Sequence, residues 1–349
     1  MAYTNIESPK KYFDTKLYTG NGSTQSITGL EFSPDFTWLK HRNNATAYSH
    51  QLYDTVRGAT NYLISNTTAE ENDGGSSCST CLTSFNSDGF SLGSNVGINA
   101  SGVNHVSWNW RGSDSSAVSN TSGTISSTVS VNTTSGFSIV SWTGTGTTGT
   151  VGHGLGVAPS FYIVKRRNAD GFDWFCYHKS LGATKFILLD TTGAEQTSDL
   201  WNDTSPTSTV FNVKTYGSVN ASGGTYIAYC FAEVKGYSKF GSYTGNGSTD
   251  GTFIYTGFKP AFVMAKASST TGQWSMCDTK RGVAPSGEFL FAESTETTNS
   301  APNNWDFVSN GFKARANYAA HNTSGVTYIY MAFAENPFVS SKGIPTTAR

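Results

Sequence analysis

Apolar residues in this chain fall in short alternating runs, separated by stretches rich in Gly, Ser, Thr and Asn. In "TYIAYCFAE" (residues 225–233) the set Tyr226, Ala228, Cys230 alternates with Ile227, Tyr229, Phe231, and both sets are largely apolar. A period of two predicts a strand. Apolar side chains on both faces predict that it is covered twice, by an opposing sheet and by a neighbouring module.

The phrase recurs. "NASGVNHVSWNWRG" (99–112), "NASGGTYIAYCFAEV" (220–234) and "NTSGVTYIYMAFAEN" (322–336) align without gaps, bringing together His105, Tyr226 and Tyr328, and likewise Trp110, Phe231 and Phe333. A second phrase has the same recurrence, starting at Leu17, Ser141 and Ser242. Each copy has an aromatic, a Thr-Gly, a Gly-rich turn, a Pro (Pro34, Pro159, Pro260) and an apolar run closed by a basic residue: "DFTWLK", "SFYIVK", "AFVMAK". A strand can begin just after Pro without losing a ladder donor. Each repeat then carries a Trp- or Tyr-centred strand, an apolar-Leu strand and a Gly-Phe strand, about six in all, which predicts a β-sandwich.

The predicted fold class is therefore all-β, with three tandem, closely packed β-sandwich modules. Module one spans 1–112 with an insert at 71–82, module two 136–236, and module three with a C-terminal tail 237–349. "CFAEVKGYSKFGSYTG" leaves almost no linker between modules two and three, so these should pack together. Residues 113–135, Ser/Thr/Gly-rich and poor in apolar side chains, read as a flexible connector or exposed arm.

Composition narrows the function classes. Charged residues make up 13% of the chain and the net charge is −1, which supplies neither the basic stripe of a nucleic-acid binder nor a polybasic membrane-surface cluster. Aromatics at 13%, with 37 Gly against 9 Pro, fit short strands joined by turns. The opening "MAYTNIESPKKYF" has no apolar signal-like core, so folding in a cytoplasm is expected.

Candidate chemistry is sparse. Cys78 and Cys81 lack a second metal-binding pair and read as an incidental thiol pair, while Cys230 reads as a core residue. "ENDGGS" (71–76) is the nearest approach to the Glu-x-Asp-x-x-Glu strand of sandwich glycosidases, but it lacks the last carboxylate. His153 reads as a turn histidine and His105 as a half-buried packing residue. Arg57 and Arg281, in "TVRG" and "TKRG", suggest a structural ion pair or carbonyl contact. The Asp of "NSDGF" and of "GSTDG" is thin support for a cation. No catalytic residue, metal or cofactor is assigned. Sugars stack on exposed aromatic rings, and the candidates for such a platform are the aromatics that do not recur, Trp201 and Trp305.

Long phrases of the chain, among them "QLYDTVRGATNYLISNTTAE", "LTSFNSDGFSLGS" and the ending "GIPTTAR", resemble a repeat domain of marine tailed phages. Proteins of that kind are labelled virion or tail-fibre-like components, and the repeat is similar to concanavalin-A-like, jelly-roll sandwiches. The resemblance implies a phage structural protein located in the virion, most readily a tail fibre or other tail appendage. Its partners would be other virion proteins or copies of itself, in a possible trimer. Alternatives are a receptor-binding module for host-surface glycan or a head decoration protein, with an enzyme third. Three modules could also form a pseudo-threefold unit within one chain.

Overall fold

The computed structural model describes residues 4–43, 46–113, 115–282, 288–298, 305–340 and 342–345. Its sheets fall into three sets along the chain. In the first unit a large sheet runs Phe13–Thr19, Asn104–Trp110, Phe36–His41, Gln51–Asp54, Tyr62–Leu63. The second repeats the order with Phe137–Thr143, Thr225–Phe231, Phe161–Arg166, Phe175–His178, Lys185–Leu188. In the third the order is Ser238–Thr244, Thr327–Pro337, Phe258–Ala267, Trp274–Asp278, Leu290–Phe291. Each large sheet carries a small one on its outer side, built around Gly89–Leu92, Val210–Val213 and Gly311–Ala314. The fold is an all-β, antiparallel sandwich architecture.

The recurring phrase is the second strand of each large sheet, hydrogen-bonded on both edges. Its two apolar faces enter different cores. Ile227, Tyr229 and Phe231 face a core shared by all three units, whereas Tyr226, Ala228 and Cys230 pack under the second unit's own small sheet. The alternation seen in the sequence thus separates inner from outer.

The shared core is centred on one equivalent aromatic from each set of sheets. Trp110, Phe231 and Phe333 meet there, with ring centroids 5.7, 5.9 and 6.1 Å apart. Equivalent hydrogen bonds then cross each seam in one cyclic sense. Glu71 N donates to Arg167 O, Glu195 N to Ser268 O and Thr298 N to Arg42 O, all at 2.9 Å. Ring nitrogens form a second cycle: Trp174 Nε1 donates to Ile64 O (2.8 Å), Trp274 Nε1 to Leu188 O (2.8 Å) and His50 Nε2 to Phe291 O (3.0 Å). The three units form a closed ring.

Residues 113–135 depart from the expected connector. Val118–Asn120 and Ser127–Asn132 are strands that extend the second unit's large sheet beyond Phe137–Thr143. Thr and Val are strand formers, and Val129 and the bridging Ile125 are buried while the edge strand Val118–Asn120 stays largely exposed. Gly136, at φ 69°, makes the turn, its N–H donating to Asn132 O. The segment expected as an insert begins at Glu71, which holds the same seam position as Glu195.

Candidate functional site

Most of the polar chemistry that the sequence marks lies in the seams. Asp54 and Arg57 are buried and paired, and Arg57 Nη2 donates to Leu52 O at 2.8 Å. Tyr229 of the second unit completes the group: its hydroxyl donates to Asp54 Oδ2 (2.8 Å) and accepts from Arg57 Nη2 (3.2 Å). Asp278 and Arg281 repeat the pair at the next seam, where Trp108 Nε1 donates to Asp278 Oδ2 at 3.0 Å. At the third seam the facing residue is Met331, which offers no strong partner, and the pair is replaced by His178 and Leu181. His178 Nε2 turns to a backbone acceptor, Tyr330 O, at 3.2 Å. Burial opposes the charge on Arg57, yet Asp54, Tyr229 and Glu71 hold its pKa above the usual arginine value.

The basic residue closing each apolar run is also buried. Lys40 donates to Tyr48 O and to Thr295 O across a seam, Lys165 to Phe172 O, and Lys266 to Thr192 O and Gly193 O across another. Burial lowers Lys40 to about 7 and Lys165 and Lys266 to about 8. It raises Asp190 and Glu293 to about 7. These acids occupy equivalent positions and accept from the backbone N–H of Trp174 and Trp274, both at 3.0 Å. Perturbed groups of this kind attract attention as acid–base candidates. Here each serves a backbone group, Lys40 and Lys266 across a seam and Lys165 within its own unit.

Neither proposed sugar platform is at the surface. Trp201 is 0% exposed, its ring edge-on to Tyr162 at 4.9 Å and its Nε1 donating to Lys185 O. Trp305 is 2% exposed among Phe289, Phe312 and His321. Both rings fill the space between large and small sheet, which a non-recurring Trp can do as well as a recurring one. Cys78 and Cys81 are joined as a disulfide rather than left as thiols. His105 is fully buried, stacked on Tyr18 at 5.0 Å, rather than half-buried. His153 accepts from Leu155 N and donates to Thr207 O.

Glu71 of "ENDGGS" pairs with Arg57 of its own unit and with Arg167 across the first seam. Of the two cation candidates, Asp88 accepts from Gly29 N and Asp250 pairs with Lys313. Among the described residues no group of His, Cys, Asp or Glu is arranged to hold a metal ion, and no helix is long and apolar enough to cross a membrane. A polar cleft of about 180 Å³ opens between the second and third units, lined by Lys185, Glu195, Ser268 and Thr327. The exposed large hydrophobics include two that share one strand of the third unit's small sheet and are not among the sequence candidates, Phe253 and Tyr255. Their signal was available: they flank the inward Ile254 and have no aromatic counterpart in the other copies.

Comparison with known proteins gives one match: a family described as "Domain of unknown function (DUF7483)" matches residues 8–337. No curated protein and no solved structure matches the chain.

Proposed function

The chain belongs to the DUF7483 family, and on that premise we propose that it is a structural component of a tailed-phage particle, mounted as a tail fibre or other tail appendage. The observation that carries this reading is the closed ring. Its recurring buried Asp–Arg pairs and the equivalent backbone bonds serve the seams, so these repeated residues hold the units together rather than build three copies of a reaction centre. The resemblance of the repeated phrases to virion components of marine phages supplies the setting. In this reading the partners are neighbouring virion proteins, the chain performs no catalysis, and it binds neither nucleic acid nor membrane. A monomer of 37.3 kDa already supplies pseudo-threefold symmetry and suits a threefold appendage without self-assembly.

Gold labelling of the chain on purified particles, viewed by electron microscopy, tests the reading. Label on the tail is expected. Label over the head would replace the appendage with a decoration protein, and absence of label from intact particles would overturn the virion assignment. Release of reducing ends from host polysaccharide by the purified protein would overturn its non-enzymatic part.

A further inference from the structure

The outer faces of the three small sheets occupy equivalent places but carry different chemistry. Ile27, Val151 and Ile254 each pair with the Phe of the neighbouring strand (Phe90, Phe211, Phe312), which fixes the register. The positions flanking that inward residue point outward. They are Ser26 and Thr28 in the first unit and Thr150 and Gly152 in the second. In the third they are Phe253 and Tyr255, 45% and 55% exposed.

The two residues stand about 6.6 Å apart along one strand, at two residues' rise. Phe253 leans across the sheet: a Cβ on Gly311 would lie 3.0 Å from its Cε2. Gly311 is required there in any case, because that Cβ would come within 2.0 Å of Ile254 O. The bare backbone of Gly311 thus leaves room for the edge of the Phe253 ring, which stays 45% exposed, as an aromatic can cover a strand glycine.

Beside the rings lies a set of charges that balance. Lys313, the register partner of Phe253, pairs with Asp250, and Arg315 Nη2 pairs with Asp306 at 2.8 Å. Two acids and two bases in mutual contact leave no net charge to attract an ionic ligand, while Asp250, Lys313 and Arg315 keep exposed hydrogen-bonding atoms. The apolar area is small. Rings that bury about 150–250 Å² each when fully covered offer on the order of 200 Å² here, against about 800 Å² per partner in a standard protein interface. A second copy of the chain or another folded protein would find too little to hold.

From these features we propose that the outer face of the third unit's small sheet is a saccharide-binding site for an uncharged sugar. One or two pyranose faces stack on Phe253 and Tyr255, and their hydroxyls bond to Asp250, Lys313 and Arg315. The assignment does not depend on where the chain is mounted, so particle labelling and sugar binding can fail separately.

The test is an array of uncharged, sialylated and sulfated oligosaccharides, followed by calorimetric titration of the best uncharged one. It compares the intact chain with Phe253→Ser, Tyr255→Thr and the double variant, substitutions that reproduce Ser26 and Thr28 of the first unit. The expected result is binding of an uncharged oligosaccharide, little affected by salt. Each single variant should weaken it at least about tenfold, the equivalent of about 1.4 kcal/mol, with unchanged thermal unfolding. A blank array, binding retained in the double variant, or binding confined to anionic sugars and abolished by salt would each overturn the proposal.

Discussion

The inner and outer faces of the large sheets follow different rules. Inward, the three copies keep their bulk: Trp110, Phe231 and Phe333 at the centre, then Trp108, Tyr229 and Met331, then Val106, Ile227 and Ile329. Outward, Tyr226, Ala228 and Cys230 of the second unit correspond to His105, Ser107 and Asn109 of the first, a polar set in which Asn109 Nδ2 donates to Ser107 Oγ at 3.0 Å. An inward side chain meets neighbours from other units, so changing it requires matching changes elsewhere in the chain. An outward one answers only to its own small sheet. The seams show matched change: Asp and Arg stand opposite Tyr229 and Trp108, whereas His and Leu accompany Met331.

The sharpest way to break this contrast is to remove one ring from each kind of core. Phe231→Ala at the centre should cost about 3–5 kcal/mol, the usual range for a large aromatic lost from a core. Hydrogen exchange should rise in the large sheets of all three units. Trp201→Ala removes a comparable volume, but faster exchange should stay within the second unit. If both variants loosened only the second unit, the shared core would not be acting as one body.

Next in size is the seam pair. Arg57→Met leaves Asp54 buried without its counter-charge and should cost about 3 kcal/mol in urea unfolding. Adding Asp54→His, which brings the seam closer to the chemistry around His178, should recover part of that loss. A double variant worse than the single one would contradict the matching described above.

Acid should act on the seams as well, alongside His41, His105 and His153, which burial lowers to about 3, 4 and 4. His50 accepts from Trp38 Nε1 (2.8 Å) while donating to Phe291 O, and His178 accepts from Ser180 N (3.1 Å) while donating to Tyr330 O. Each ring is therefore held neutral, and a second proton would face an N–H donor. Burial lowers His178 to about 4 and His50 well below its usual 6.5, Lys40, His41 and Arg281 adding to the effect at His50. With folded pKa values below the unfolded one, the stabilising contribution is complete above pH 6.5 and lost as pH falls towards 4. Buried Asp190 and Glu293 act in the opposite sense, losing their stabilising contribution as pH rises from about 4 to 7. His178→Gln should flatten the acid limb by about 2 kcal/mol, read from thermal unfolding at pH 7 and pH 4.5.

The smallest effect belongs to the periphery. Reducing Cys78–Cys81, which closes a loop with a sequence separation of 3, should cost at most about 2 kcal/mol. Altered exchange should be confined to the first unit.

Much of the ring was legible in the repeats. Alternation with both sets apolar identifies a strand covered twice, and "DTVRG" beside "DTKRG" points to a conserved structural contact within the chain. Two features misled. Within 113–135 two strands form with few large apolar side chains, because an added strand held mainly by its ladder needs little more than Val129 and the bridging Ile125 to be buried. Trp201 and Trp305 were placed outside because they do not recur, but outer cores are where non-recurring residues belong. The candidate site was hidden for a related reason: recurrence says which positions pack, while exposure is set by parity along the strand, and Phe253 and Tyr255 have the outward parity.

The cyclic sense of the seam bonds bears on assembly. Each unit presents a donor side to one neighbour and an acceptor side to the other, a heterologous contact that produces rings when its rotation closes and filaments when it does not. Three units close the rotation, so neither side is left over. A chain cut back to two units would carry one uncovered side of each kind, and its easiest remedy would be a unit borrowed from another chain. The three sets of sheets are in this sense a self-terminated polymer of length three.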